Sequence, residues 1–221
     1  MYFLERAVYR DREHAGQALA EELRGRVRPG AVVLAVPNGG VAVAAPVAKA
    51  LEASLGLLVV RKIQIPGNTE AGFGAVAADG STVLDEDFAR RLGLSSRQVA
   101  AQREKALTSV RERLAGYGDW AELPSLTDRE VVLVDDGLAS GATMEAAVAI
   151  VRQHNPRRVI LAAPTASARA VERLSPLVDE LVAPHVGRGR VFAVAAAYQR
   201  WYDVSDAEVR GLLAGLEGDH G

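Results

Sequence analysis

The sequence contains no cysteine, which excludes disulfide bonds, thiolate metal sites and a cysteine nucleophile. Aromatic residues make up only 5% of the 221 residues, and no apolar run approaches the ~20 residues of a membrane-spanning helix. The charges nearly cancel, with a formal net charge of −2. The chain therefore provides no basic field for DNA or RNA. Neither a membrane nor a nucleic acid is therefore an expected partner.

The remaining composition is that of an ordinary globular protein, with 49% hydrophobic and 24% charged residues. Glu5, Arg6 and Arg10 interrupt the N-terminal stretch early, which argues against a signal peptide. A chain of this length can bury one substantial core, or form one domain with an inserted subdomain. We therefore expect a cytoplasmic enzyme or binding protein in which residues 1–221 form a single domain.

The most informative segment is residues 131–143, which read VVLVDDGLASGAT. Its four apolar residues, three of them β-branched, are typical of a strand buried on both faces of a parallel sheet. Asp135 and Asp136 follow at the carboxyl end, where open α/β sheets bind their ligands. Small residues come next, and a helix start there would direct backbone N–H groups and the Ser140 and Thr143 hydroxyls at one anion. Carboxylates for sugar hydroxyls beside a phosphate loop indicate a sugar-phosphate site.

This segment resembles, without a gap, the phosphoribosyl pyrophosphate (PRPP) motif of the type I phosphoribosyltransferases. In that family the paired acids bind the ribose 2′- and 3′-hydroxyls, and the loop after them binds the 5′-phosphate. The resemblance implies the ribose-binding, catalytic role for Asp135 and Asp136. It implies 5′-phosphate binding by Ala139, Ser140, Gly141, Ala142 and Thr143. The alternative, a tight strand-to-helix turn without a ligand, is disfavoured by paired acids followed by so small and polar a loop.

A second strand, turn and helix precede this motif. Residues 31–36 form a continuous apolar run, the turn 37–40 follows, and residues 41–53 predict a helix with Pro46 in its first turn. Residues 57–60 then predict another buried strand, which completes a right-handed parallel βαβ unit. We therefore expect an α/β fold, with the parallel-sheet core of a type I phosphoribosyltransferase, flanking helices and a small hood or lid insertion.

The middle of the chain, residues 66–127, differs in composition and is expected to form the lid or hood insertion. Asp79-Gly80 between two short apolar runs predicts a hairpin, and Ser95 with Gln98 predicts a capping box at the start of a charged helix. The charges of that helix form either a solvated face or a basic surface towards a substrate. Residues 184–221 are expected to form a C-terminal hood and helix.

The glycine turn supplies a candidate pyrophosphate site. Gly39 and Gly40 let the backbone approach an anion, and the helix that follows favours negative charge at its start. By the same resemblance, Asn38, Gly39 and Gly40 bind pyrophosphate, although Asn38 stands where relatives commonly carry an arginine. Arg61 and Lys62, at the end of the next strand, would add two cations to the same sheet edge. The alternative for this pair is a solvated strand end.

Residues 65–76 also resemble a little-characterised bacterial branch whose members are described only as predicted phosphoribosyltransferases, and Arg61-Lys62 upstream and residues 203–206 fit that branch too. This likeness covers most of the chain but names no substrate. Ala139 stands where 6-oxopurine enzymes of the family often carry an aspartate that exchanges a proton with the base, which predicts a different acceptor. The aromatic residues that either stack on a base or pack in the core are Phe192, Tyr198, Trp201 and Tyr202.

The resemblance implies an enzyme that uses PRPP and Mg²⁺ to transfer the 5-phosphoribosyl group to an unidentified nitrogenous base, with release of pyrophosphate. The metal would be held through PRPP and water, without a direct protein ligand. The main alternative is a non-catalytic regulator that binds PRPP or a nucleotide, which Asn38 and Ala139 favour. A phosphatase that uses one of the paired acids as nucleophile is disfavoured, because no further acid lies two residues beyond either. A homo-oligomer is compatible with these expectations.

Overall fold

The computed structural model describes residues 7–189 and 191–217. The strands of this part, in chain order, are β1 (Val32–Ala35), β2 (Ser54–Leu57), β3 (Val60–Ile65), β4 (Asn68–Ala77), β5 (Thr82–Leu84), β6 (Glu130–Val134), β7 (Arg158–Ala162), β8 (Thr165–Ser167), β9 (Glu180–Val182) and β10 (His185–Gly187). Its α-helices are α1 (Arg12–Leu23), α2 (Gly39–Ala50), α3 (Glu86–Arg91), α4 (Ser96–Leu114), α5 (Ala142–Gln153), α6 (Ala168–Leu174) and α7 (Asp206–Glu217).

A five-stranded sheet in the order β2-β1-β6-β7-β9 forms the centre of the fold. Every pairing within this sheet is parallel, and β1 joins β2 through α2 as the predicted βαβ unit. The predicted α/β class with a parallel sheet and flanking helices is thus confirmed. Because all five strands run the same way, the loops that follow β1 and β6 lie at the same edge of the sheet.

Hydrophobic cores cover both faces of this sheet. Val33 and Val132 point towards the core built with α1, α2 and α7, whereas their neighbours Val32 and Val131 point towards the core built with α5 and α6. Successive residues of a strand alternate between faces, so a sheet covered on both sides needs apolar residues at every position. This burial explains why the strand segments are unbroken apolar runs.

The predicted position of Arg61 and Lys62 is wrong. The sheet strand is β2, which ends at Leu57, and the chain then leaves the sheet through buried Leu58 and Val59. Arg61 and Lys62 lie in β3, which pairs antiparallel with β4. Two adjacent exposed charges do not fit a strand that is covered on both faces, so this part of the chain belongs instead to an antiparallel ribbon with a solvated side.

This ribbon, β3-β4-β5, and the helices α3 and α4 form a small unit with its own core, which includes Ile63, Phe73 and Leu107. The predicted hairpin at Asp79-Gly80 is confirmed as the connection between β4 and β5. The predicted capping box is also confirmed, since the Ser95 side chain accepts the Gln98 N–H and the Gln98 side chain accepts the Ser95 N–H.

Contacts with the end of α5 fix the ribbon to the central sheet layer. The Gln153 side chain donates to the Thr82 carbonyl at 2.9 Å. His154 Nε2 lies 3.0 Å from Asp79 Oδ2 and 3.1 Å from the Ser81 hydroxyl. The tip of the hairpin therefore lies against the C-terminus of the helix that begins at the PRPP-like loop.

Two predicted details differ in the structure. Pro46 lies well inside α2, because the helix begins at Gly39. Gly16 of α1 accommodates the proline, since a Cβ atom at position 16 would lie 2.4 Å from Pro46 Cγ. The apolar residues 191–198 form neither a strand nor an α-helix over their described part, but contain the short 3₁₀ segment Val194–Ala197. Within residues 7–189 and 191–217, no helix has the length and apolar character to span a bilayer.

Candidate active site

The paired acids follow β6, which is buried along its whole length. The Asp136 N–H donates to Asp135 Oδ1 at 2.8 Å, so the first carboxylate is held by the backbone of the second. Asp136 Oδ2 in turn accepts a hydrogen bond from Arg12 Nε at 2.8 Å. The Asp136 side chain is only 16% exposed. Both acids are thus fixed at the carboxyl edge of the sheet rather than extended into solvent.

Burial and mutual repulsion disfavour the charged forms of this pair. Burial raises the pKa of Asp135 well above its ordinary value, and the neighbouring Asp136 charge raises it further. Burial also raises the pKa of Asp136, against which the hydrogen bond and charge of Arg12 act. Adjacent carboxyl groups whose pKa values are raised by burial, at the carboxyl edge of a parallel sheet, are typical of functional sites.

Arg12 is a site residue that the sequence did not reveal. It is the first residue of α1 and is buried, with its Nη1 donating to the Tyr202 carbonyl at 2.9 Å. Its guanidinium carbon lies 3.9 Å from the centroid of the Trp201 ring. The Asp11 side chain before it caps the helix by accepting the His14 N–H, but no motif or spacing relates position 12 to the acids that follow β6. Only the packing of α1 against the sheet edge brings them together.

The predicted base-stacking aromatic residues have different environments. Tyr198 is buried, and its hydroxyl donates to the Asp136 carbonyl at 2.6 Å, so it packs in the core beside the acid pair. Trp201 and Tyr202 are partly exposed and lie around Arg12. Phe192 packs against Gly187, whose added Cβ would lie 2.6 Å from the Phe192 ring. Of these aromatic residues, Tyr198 contacts the backbone carbonyl of Asp136, whereas Trp201 and Tyr202 contact Arg12, which binds the Asp136 carboxylate.

The glycine turn after β1 lies directly against the acid pair. A Cβ atom at Gly39 would be 1.9 Å from Asp136 Oδ2. A Cβ atom at Gly40 would be 2.9 Å from the Val134 carbonyl and 3.3 Å from Asp135 Oδ1. Only glycine permits this approach. The structure thus brings the predicted pyrophosphate loop and the predicted ribose-binding acids together, with a cis peptide bond between Pro37 and Asn38 at the start of the turn.

The Asn38 side chain is engaged within the protein at both ends. Its amide donates to the Val204 carbonyl at 2.7 Å and to Asp206 Oδ1 at 2.9 Å. Its Oδ1 accepts from Arg113 Nη2 at 2.7 Å and from the Tyr117 hydroxyl at 3.3 Å. Asn38 therefore links the turn to the start of α7 and the end of α4. The arginine expected at position 38 is absent, but α4 brings the Arg113 guanidinium to this turn.

Tyr117 and Asp206 complete this network. The Tyr117 hydroxyl donates to Asp206 Oδ1 at 2.8 Å. The hydrogen bonds from Tyr117 and Asn38 lower the pKa of Asp206, whereas burial and the contact with Asp206 raise the pKa of Tyr117. Asp206 belongs to the stretch 203–206 that carried part of the resemblance. Arg113, by contrast, was indistinguishable in sequence from the other charges of its helix.

The PRPP-like loop opens to solvent at the start of α5. Ala139, Ser140, Ala142 and Thr143 are exposed, whereas Gly141 is buried, with a positive φ of 75° at the N-cap of the helix. The short strand β8 supports the loop from behind, since the Ser167 hydroxyl donates to the Ala139 carbonyl at 2.6 Å. The loop thus presents its small residues and a helix N-terminus to solvent, an arrangement that suits an anion.

A cavity of about 890 Å³ lies between the ribbon and α5. Ser140, Ala142 and Thr143 line it from the helix side, and Lys62 lines it from β3. Arg61 is not among its lining residues. The structure therefore brings Lys62 to the same cavity as the predicted 5′-phosphate loop, although it lies in the ribbon and not at the end of a sheet strand.

The described residues contain no group of three or more His, Cys, Asp or Glu side chains that would form a metal cage. Mg²⁺ commonly retains several waters and takes part of its coordination from substrate phosphates, so it needs few ligands from the protein. Asp135 and Asp136 therefore fit a cation that arrives with a diphosphate and would be held through the ribose hydroxyls and water, without a direct bond to either carboxylate.

Residues 9–185 match a family model described as "Phosphoribosyl transferase domain". The chain belongs to the phosphoribosyltransferase family. Proteins of two Mycobacterium tuberculosis strains, CDC 1551 / Oshkosh and H37Rv, each named "Putative phosphoribosyl transferase", are 37% identical to it over 206 residues. These residues are 93% of the chain but 46% of each relative, so the chain spans about half the length of the curated relatives it matches.

A solved structure, TT1426 from Thermus thermophilus, is 39% identical to this phosphoribosyltransferase-family chain and has a TM-score of 0.82. The likeness covers 96% of this chain and 99% of the Thermus chain. The arrangement of the central sheet, the ribbon and the terminal helices is therefore shared with a protein of nearly the same extent.

Proposed function

We propose that this phosphoribosyltransferase-family protein transfers the 5-phosphoribosyl group of PRPP to a nitrogenous base and releases pyrophosphate. One observation carries the proposal: the glycine turn Gly39-Gly40 lies in contact with the half-buried pair Asp135 and Asp136 at the sheet edge where the largely exposed loop 139–143 begins α5. Groups suited to pyrophosphate, ribose hydroxyls and a 5′-phosphate thus follow β1 and β6, two adjacent strands.

In this proposal each part of the donor has a distinct set of partners. Asp135 and Asp136 accept hydrogen bonds from the ribose hydroxyls, and the loop 139–143 binds the 5′-phosphate through backbone N–H groups and hydroxyls. The turn 38–40 binds pyrophosphate through its backbone, because the Asn38 side chain is already engaged. Lys62, which lines the cavity next to the loop, adds a phosphate-binding cation.

Arg61 is the weakest member of the proposed pyrophosphate set. It is exposed in β3 and does not line the cavity that contains Lys62. Closure of the segment 66–127 over the donor, which we propose as the lid, would move β3 as well, because β3 pairs with β4 of that segment. We also propose residues 184–221 as the hood, because Tyr198 and Tyr202 from this part contact Asp136 and Arg12.

The reaction breaks the bond between C1 of the ribose and the pyrophosphate oxygen, and forms a bond from C1 to a nitrogen of the acceptor. Positive charge develops at C1 in the transition state, so binding in the correct geometry and electrostatic stabilisation provide most of the catalysis. Asp135 and Asp136 orient the ribose and stabilise that charge. Bound Mg²⁺ would neutralise the departing pyrophosphate, and the acid pair would hold it through the ribose hydroxyls and water.

The acceptor is proposed to be something other than hypoxanthine or guanine. Ala139 is exposed at the start of the loop and its methyl group can neither donate nor accept a proton. A base whose attacking nitrogen already carries an available lone pair, without a proton to lose, would need no such proton transfer. A nitrogenous base or nucleotide of this kind is therefore the proposed acceptor class.

A non-catalytic PRPP- or nucleotide-binding regulator is the second candidate. The engaged Asn38 side chain and Ala139 favour it, since both positions lack groups that catalytic relatives carry. Incubation with PRPP, Mg²⁺ and a panel of bases, followed by a pyrophosphate assay, separates the two functions. Base-dependent pyrophosphate release supports the transferase, whereas tight PRPP binding without turnover on any acceptor supports the regulator. A cytoplasmic location is proposed for either.

A further inference from the structure

Arg12 is fixed from three directions at the edge of the acid pair. Its Nε donates to Asp136 Oδ2 at 2.8 Å, and its Nη1 donates to the Tyr202 carbonyl at 2.9 Å. One face of the guanidinium stacks on Trp201, with 3.9 Å between the guanidinium carbon and the ring centroid. Its side chain is 7% exposed. A planar guanidinium held in this way has little freedom, so it imposes one orientation on the carboxylate it contacts.

The acid pair needs such a partner if it is to bind sugar hydroxyls. An ionised carboxylate accepts hydrogen bonds at both oxygens, whereas a protonated carboxyl group loses part of that capacity and becomes a donor. Burial raises the pKa of both Asp135 and Asp136 and therefore favours their protonated forms. In the described part of the chain, Arg12 is the cation that acts on both carboxylates.

The other titratable groups around the pair do not supply this charge. Tyr198 reaches the Asp136 carbonyl from the C-terminal segment, and burial and the Asp136 charge keep its hydroxyl protonated by raising its pKa. Tyr9 packs on Tyr198 with 5.8 Å between ring centroids. On its outer side, Arg12 shares a groove with the carboxylates Asp11, Glu13 and Glu208 and with the basic residues Lys49 and Arg200.

We propose that Arg12 is a positioning residue of the PRPP site, which fixes the Asp136 carboxylate in one orientation and places a positive charge beside it, so that it accepts a ribose hydroxyl. The proposal rests on PRPP being the ligand of the acid pair. Arg12 acts through Asp136, with Trp201 and the Tyr202 carbonyl as its supports. The C-terminal segment thereby contributes to donor binding without touching the donor.

The test combines a titration that needs no ligand with a binding measurement. Carboxyl ¹³C resonances of Asp135 and Asp136, assigned with single asparagine variants, are followed against pH in the wild type, Arg12→Gln and Arg12→Lys. PRPP binding with Mg²⁺ is measured by calorimetry in the same proteins. Arg200→Gln is the matched control, because Arg200 pairs with the neighbouring Asp11 on the surface and not with the acid pair.

In Arg12→Gln we expect the titration midpoint of Asp136 to rise by about one pH unit or more. PRPP affinity at pH 7 should fall about 10- to 100-fold, as expected for loss of a charge-assisted hydrogen bond. Arg12→Lys retains the cation but not the planar contacts, so the midpoint should stay near the wild-type value while affinity still falls. Arg200→Gln should change neither. Trp201→Leu, at a surface position 38% exposed, provides a second variant if Arg12→Gln does not fold, and should weaken PRPP binding several-fold relative to the wild type.

An unchanged Asp136 titration in Arg12→Gln would overturn the proposal whether or not the protein binds PRPP. A raised midpoint with unchanged PRPP affinity would overturn the link to ribose binding. If the midpoint rises in Arg12→Gln but the wild type itself binds no PRPP, the proposed function is wrong. The interaction of Arg12 with the Asp136 carboxylate is then still supported. The two failures are therefore distinguishable in one set of samples.

Discussion

Gly39 lies against Asp136 so closely that a Cβ atom at position 39 would be 1.9 Å from Asp136 Oδ2. The same Cβ atom would be 3.1 Å from Arg12 Nε. The turn after β1 and the acids after β6 are thus two sides of one site, and the missing side chain at position 39 leaves room for the ion pair of Arg12 and Asp136.

The substitution Gly39→Ala should therefore impair the site more than the fold. The added methyl group displaces either the Asp136 carboxylate or the turn, and overpacking of this kind costs about 1–3 kcal/mol. We expect loss of detectable PRPP binding in calorimetry and a lower free energy of unfolding in urea. Gly211→Ala in α7 is the control, since a Cβ there meets no atom within 4 Å and should leave binding unchanged. Wild-type affinity in Gly39→Ala would contradict the proposed site.

The variant Asp135→Asn should be more stable than the wild type at high pH. Because burial and Asp136 raise the pKa of Asp135, the folded protein binds more protons than the unfolded chain above the ordinary aspartate pKa of about 3.9. The contribution of Asp135 to stability therefore falls as the pH rises from that value through the folded-state pKa. We predict a gain on the order of 1 kcal/mol at pH 8, which shrinks towards pH 4, in urea unfolding.

Asp179→Asn is the matched control for this pH dependence. The Val159 N–H, followed by the charge of Arg152, lowers the pKa of Asp179, so this carboxylate stabilises the fold above its unfolded-state pKa and ceases to do so as the pH falls through its folded-state pKa. Its asparagine variant should be less stable than the wild type at pH 8, with the difference disappearing in acid. If Asp135→Asn is less stable than the wild type at pH 8, burial and the charge of Asp136 do not destabilise the ionised form of Asp135.

Tyr117→Phe should weaken the hydrogen bonds that hold Asn38 at the start of the pyrophosphate turn. The variant removes a hydroxyl that donates to Asp206 at 2.8 Å and to Asn38 at 3.3 Å, at an expected cost of about 1 kcal/mol in unfolding free energy. Pyrophosphate binding, measured by calorimetry, should weaken several-fold through greater freedom of Asn38. The exposed Tyr202 provides the control Tyr202→Phe, which retains the backbone carbonyl that binds Arg12 and should leave pyrophosphate affinity unchanged.

The base panel tests the significance of Ala139. With PRPP and Mg²⁺ present, hypoxanthine and guanine should give no rapid pyrophosphate release, because position 139 has no proton-exchanging group. Product analysis by mass spectrometry identifies any nucleotide that forms with another base. Rapid conversion of hypoxanthine or guanine to its nucleotide would remove the specificity that we assign to Ala139.

Much of the fold could be predicted from the sequence because local signals agree with the tertiary structure. The apolar runs of β1 and β6 and the capping box at Ser95 each indicate one structure. The position of Arg61 and Lys62 could not be predicted, since a buried strand and the connection after it have the same apolar character. The pairing that draws this segment into a ribbon is with residues 68–77, and local sequence does not encode it.

The residues of the candidate site likewise fall into those that the sequence predicts and those that only the tertiary structure reveals. Asp135, Asp136 and the loop 139–143 lie in one contiguous motif, so the sequence alone predicts their chemistry. Arg12 and Arg113 come from helices packed against that edge, and nothing in their sequence neighbourhood separates them from ordinary surface arginines. Tertiary packing alone brings such residues to a site.

The most direct test is a calorimetric titration of PRPP with Mg²⁺ into the wild type and the double variant Asp135→Asn/Asp136→Asn. The matched control, Glu21→Gln/Glu22→Gln, removes two exposed carboxylates of α1. We predict saturable binding at one site in the wild type and the control, and at least about 100-fold weaker binding in the acid-pair variant, which keeps its fold in thermal unfolding. Equal affinity in all three proteins would contradict the assignment of the acid pair to the ribose of PRPP.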